Sequence, residues 1–109
     1  MAYDEGLAQR IREQLTAQTD FSEKKMFGGL AFMVRGHMAV GVVKDELMAR
    51  VGAEQYEVCL QWSGAKPMDF TGRPMKGMVF VAQPALAEDD QLQRWLQQSL
   101  AFVANLPSK

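Results

Sequence analysis

The stretch "LAFMVRGHMAVGVVKDELMARV" occupies residues 30–51, and its short apolar runs, broken twice by polar or glycine-containing segments, decide the architecture. Runs of this length, rich in valine, phenylalanine and methionine, read as three strands: Leu30–Arg35, Met38–Val43 and Leu47–Val51. Gly36-His37 is the predicted first turn, of the type whose first position needs positive φ. Lys44-Asp45-Glu46, all polar, is the second. In the third strand Leu47, Ala49 and Val51 point one way while Met48 and Arg50 point the other, which gives one dry face and one wetter face.

Upstream, Leu7, Ile11 and Leu15 recur every four residues with Ala8 beside them, which predicts an amphipathic helix from about Asp4 to Gln18. "TAQTDFSEKK" then breaks the period with Thr19, Asp20 and Ser22. Downstream, Gly52 ends the meander, and Ala53 to Trp62 carries Tyr56, Cys59 and Leu60 at helical spacing. "SGAKP" at residues 63–67 reads as a loop, because proline disrupts a helix interior. A second hairpin is expected beyond it: strand Met68–Phe70, turn Thr71-Gly72-Arg73-Pro74 and strand Met75–Ala82. Leu92, Trp95, Leu96, Leu100, Phe102 and Val103 follow at three- and four-residue steps, so a last helix should span Asp89–Asn105, with Pro107 beyond its end. The order α-β-β-β-α-β-β-α predicts an α+β fold whose antiparallel or mixed sheet is flanked by helices.

At 109 residues, with 48% apolar and 23% charged side chains, the chain fits one ordinary globular domain over residues 1–109. A net charge of −1 excludes the broadly basic surface of a sequence-independent nucleic-acid binder, although residues 24–76 hold eight basic against five acidic side chains. No run approaches the ~20 apolar residues of a bilayer-spanning helix, and "MAYDEG" has acids where a secretory signal has bases. The expectation is a cytoplasmic protein with no membrane partner. Cys59 is the only cysteine, so neither an intrachain disulfide nor a thiolate metal cage can form. "KDEL" at residues 44–47 is internal and carries no retention signal.

Lys24, Lys25, Met26, Phe27, Gly28 and Gly29 raise the question of a phosphate grip. A Walker loop needs G-x-x-x-x-G-K-[ST] before a helix, and a dinucleotide loop needs G-x-G-x-x-G after a strand. Neither pattern is present, so the glycines read as a bulge or a close backbone approach. The sole histidine, His37, has no neighbouring ligand cluster, which leaves no metal site. Cys59 lies on an apolar stripe as an inert thiol. The acid pairs fall at turns and helix starts, where solvation and the helix dipole explain them. Asp69 reads as a turn or ion-pair residue facing Arg73. Seven of the eight methionines lie between Met26 and Met78; they are either core fillers or the lining of a groove or dimer interface. Lys24, Lys25, Arg50, Arg73 and Lys76 are candidates for a basic surface, with ordinary solvated side chains as the alternative.

Three segments, "KKMFGGLAFMVRGHMAVGVVKDELMARVG", "PMDFTGRPMKGMVFV" and "LQRWLQQSLAFVANLPSK", resemble the TfoX N-terminal domain family in order and spacing. The resemblance implies an antiparallel sheet flanked by helices, related to secretion-chaperone-like folds. It implies no catalytic residue and no cofactor. The family takes its name from a bacterial regulator of natural competence in which a C-terminal helical domain follows. Here the expectation is the N-terminal domain standing alone. Met26-Phe27-Gly28-Gly29, Arg50, Gly52, Asp69, Gly72-Arg73-Pro74 and Gly77 match the family as fold or interface positions. A non-enzymatic regulatory or interaction domain is therefore expected, acting through an unknown protein partner or as a homodimer. Direct DNA binding in transcription regulation is the alternative, and a small-ligand binder or enzyme stands third.

Overall fold

The computed structural model describes residues 3–26, 28–67 and 77–107. In chain order these form α1 (Glu5–Thr16), β1 (Ser22–Met26), β2 (Gly29–Val34), β3 (His37–Val43), β4 (Glu46–Arg50), α2 (Tyr56–Leu60), β5 (Ala65–Pro67), β6 (Met78–Val81), a 3-10 helix (Gln83–Leu86) and α3 (Asp89–Ala104). The strands make one six-stranded sheet in the order β1-β2-β3-β4-β6-β5, with every neighbouring pair antiparallel. This is the expected α+β architecture.

Side-chain alternation sorts the sheet into two faces. Leu30, Val42, Leu47 and Val81 stand in one cross-strand row, and Phe32, Val40, Ala49 and Val79 in the next. Both rows pack against Leu7, Ile11 and Leu15 of α1 and Leu92, Trp95 and Leu96 of α3, forming the main core. Full burial of a leucine- or phenylalanine-sized side chain contributes about 1.5–3 kcal/mol, so these rows hold the helices on. A register shift between Phe32 and Met33 turns both Ala39 and Val40 toward α3, where Ala39 meets Val34 and Val103. The opposite face carries Val43, Met48, Met78 and Phe80, all buried, with Met38 beside them. Met48 and Met78 thus act as core fillers, and Met33 and Met38 are half-buried.

Four local features differ from expectation. Ser22–Met26 is a strand rather than part of a turn region. As an edge strand with exposed Lys24 and Lys25 it has no alternating apolar signal, and pairing with β2 alone creates it. The first hairpin turn is Arg35-Gly36, one residue earlier than predicted. Both residues have positive φ (56° and 85°), and His37 pairs with Val34 as the first residue of β3. A two-residue turn with both residues left-handed matches the right-handed twist of the flanking strands. Arg35 donates from Nη1 to the Ala104 carbonyl at 3.0 Å, and His37 donates from Nε2 to the Pro107 carbonyl at 2.6 Å, so the hairpin grips the end of α3. Finally, Ala65–Pro67 of the predicted loop pairs with β6, and the predicted second helix is shortened to Tyr56–Leu60. The expected strand Met68–Phe70, the turn Thr71–Pro74, and Asp69 and Met75 lie outside the described residues.

Polar anchors fix α1. The Asp4 carboxylate accepts from the Leu7 N–H at 3.0 Å and from Gln83, while Arg10 donates to the Leu86 carbonyl at 2.6 Å and to Asp89 at 3.2 Å. Arg12 forms a fork on Glu23 of β1 at 2.5 and 2.8 Å, which holds that carboxyl below its usual range.

The Leu7 N–H, then Gln83, likewise hold the Asp4 carboxyl below its ordinary value. Its stabilising effect is therefore complete above the ordinary carboxylate range and disappears as pH falls through the lowered folded-state value. Asp4→Ala is expected to cost about 1 kcal/mol at neutral pH. Urea titrations should show the difference from wild type shrinking in acid. Ser99 in α3 is fully buried, and its hydroxyl has no hydrogen-bond partner among the described residues. Ser99→Ala removes an uncompensated polar group and adds a better helix former, so it should raise stability by about 1 kcal/mol, read as a higher urea midpoint.

Candidate partner-binding groove

The β4–α2 connection passes under the C-terminal half of α3. Val51 and Gly52 both donate their backbone N–H groups to the Gly77 carbonyl, at 2.8 and 3.1 Å, which pins the chain as it leaves the sheet. Gly52 has φ +87°, and a Cβ there would sit 2.4 Å from Cδ1 of Phe102. Backbone conformation and the close ring contact both demand glycine. The Arg50 guanidinium lies 5.3 Å from the Phe102 ring centroid and reaches the Met38 carbonyl at 3.5 Å. Phe102 is thereby held between a backbone and a cation.

Beside this fixed ring an open groove of about 800 Å³ runs between two walls. One wall is Val51, Gly52, Ala53, Glu54 and Gln55; the other is Gln98, Ala101, Phe102 and Asn105 of α3. The second set follows i, i+3, i+4, i+7 spacing, so a single helix face supplies it. Phe102 offers apolar surface, the exposed Ala53 and Ala101 allow close approach, and Gln55, Gln98 and Asn105 bring carboxamides that both donate and accept. Such a lining suits a chain segment that places an apolar side chain on Phe102 and its peptide groups on the amides.

The groove contains neither the buried thiol nor the buried histidine. Cys59 is buried, and burial pushes its thiol pKa up despite the nearby Arg94 cation, the opposite of an activated nucleophile. Arg94 instead covers Trp62 at 3.9 Å, and Trp62 meets Trp95 edge-on at 4.6 Å. The space lined there by Trp62, Arg94 and Trp95 is about 50 Å³, too small for an organic ligand. Among the described residues no three His, Cys, Asp or Glu side chains gather as metal ligands.

The sequence-predicted site residues are spread over the sheet. Lys24 and Lys25 project from the edge strand β1, and the Met26 backbone pairs with Gly29. Gly28 turns with φ +73°, and a Cβ on Gly29 would fall 2.0 Å from the Val42 carbonyl oxygen. Close backbone approach thus explains Gly29, and positive φ explains Gly28. Arg50 sits three strands away on β4, engaged by Phe102. Phe27, Arg73, Lys76 and the side chain of Met26 lie outside the described residues. The groove itself brings together Gly52, which sequence reasoning had placed as a strand terminator and as a fold or interface position of the family, and Phe102, placed on the helix stripe.

Gly52→Ala is expected to cost about 2 kcal/mol through its positive φ and the displaced ring. The cost should be smaller in a Phe102→Ala background, and urea denaturation of the two single variants, the double variant and wild type measures the coupling.

No curated protein and no solved structure matches the chain. The family model described as the TfoX N-terminal domain matches residues 13–103, a span that includes β1 through β6 and every groove residue except Asn105. The protein belongs to the TfoX N-terminal domain family.

Proposed function

We propose that the protein is a non-enzymatic regulatory domain of the cytoplasm that acts by binding a protein partner, as the family's link to a competence regulator suggests. The observation that carries this reading is the groove: one face of α3 and an immobilised phenylalanine form a pre-built surface with amide groups placed for a polypeptide. No helix among the described residues is long and apolar enough to cross a membrane.

Charge placement favours protein over nucleic acid as the partner. Arg10, Arg12 and Lys66 each pair with a carboxylate, and Arg50 and Arg94 stack on rings. These five of the chain's twelve Lys and Arg are engaged within the fold, and the net charge is −1, so the surface lacks the broad positive excess on which salt-dependent duplex binding rests. A labelled duplex is therefore expected to show no anisotropy change at near-physiological salt.

A photo-crosslinking residue placed in cells at Ala101, in the groove, and in a second protein at Thr16, exposed on α1, tests the docking site. A discrete adduct with another protein from position 101 but not from 16 is the expected result. An adduct of twice the chain mass would instead assign the groove to self-association. Equal labelling at both positions, or none, would overturn the reading.

A further inference from the structure

We propose that the outer edge of β1 accepts an extended acidic segment of a partner protein as an added seventh strand. The proposal rests on the partner-binding reading but uses a different surface. β1 is outermost in the sheet, and no described strand pairs with its outer side. Among the described residues, the outward backbone N–H and C=O groups of Ser22–Met26 have no strand partner, the arrangement that strand addition satisfies.

The charges around the edge select the occupant. Both carboxylate oxygens of Glu23 are taken by Arg12, which leaves Lys24 and Lys25 to set the sign. Lys24 stands opposite Ala31 and Lys25 opposite Leu30, so the ammonium groups flank the edge on opposite faces of the sheet. Consecutive residues of an incoming strand also point to opposite faces. Two adjacent acidic residues would therefore meet one lysine each.

A second copy of this chain fits poorly. Its own β1 carries the same two lysines, and its other edge, β5, has three residues, includes Lys66, and ends at Pro67, which lacks an N–H. Pairing through β1 would bring lysine against lysine. The partner is instead a different chain with an acidic, strand-forming segment.

The test uses the full-length protein and labelled peptides of about eight residues, alternating valine and threonine around a central Glu-Glu, Gln-Gln or Lys-Lys pair. The Glu-Glu peptide should bind about fivefold or more tightly than the Gln-Gln peptide at moderate salt. N-methylation of its alternate amides should abolish binding, since the strand's hydrogen bonds carry it. Lys24→Glu with Lys25→Glu should transfer preference to the Lys-Lys peptide, and Lys24→Gln with Lys25→Gln should erase the preference. Ala101→Arg, in the groove, should leave peptide binding unchanged. No binding by any peptide, or binding indifferent to N-methylation, would overturn the proposal and leave the lysines as guards against edge aggregation. If that happens while crosslinking from position 101 persists, the edge proposal fails alone and the groove reading stands.

Discussion

Register across β2, β3, β4 and β6 is the constraint on which the rest of the molecule depends. Every described helix lies over the rows of Leu30, Phe32, Val40, Val42, Leu47, Ala49, Val79 and Val81, and a one-residue slip of any strand would exchange these for the opposite face. Two devices hold the register. Gly29 lets β2 approach the Val42 carbonyl more closely than any side chain allows. The irregularity at Phe32/Met33 adds Ala39 to the buried set, which widens the surface under the C-terminal part of α3. The hairpin turn that follows then holds the end of α3 through Arg35 and His37.

The groove is a consequence of that arrangement. α3 is fixed by its core stripe and by its C-terminal contacts, so its Gln98-to-Asn105 face overhangs the point where β4 hands over to α2. Gly52 and Gly77 bring two backbone segments together there, and the phenylalanine ring fills the space that a side chain on Gly52 would have taken. Gly52 packs directly beneath the ring, and the shape of the groove follows from the core.

Much of this was legible in sequence, for identifiable reasons. Leu7, Ile11 and Leu15 announced α1, and Leu92, Trp95, Leu96 and Val103 announced α3, because both helices bury one clean stripe. The central strands were legible from apolar runs between turn residues. β1 was not, because Lys24 and Lys25 are exposed and its strand character comes from its neighbour. The first turn was located but displaced by one residue, since one glycine can supply positive φ at either turn position and the partner residue, Arg35, is rarely left-handed. Gly52 was legible as punctuation. Its contact with a ring some fifty positions further along the chain was not, because no local pattern encodes a meeting between a connection and a helix face.

The Trp62–Trp95 pair has a practical meaning beyond packing. These are the only two tryptophans in the chain, and they touch each other where the segment after α2 meets α3, under the Arg94 guanidinium. Intrinsic fluorescence is therefore a local gauge, with both emitters sampling one joint of the structure. A spectral change reports on separation of that joint. The β1–β2 edge and the hairpin grip on the end of α3 lie outside its field of view.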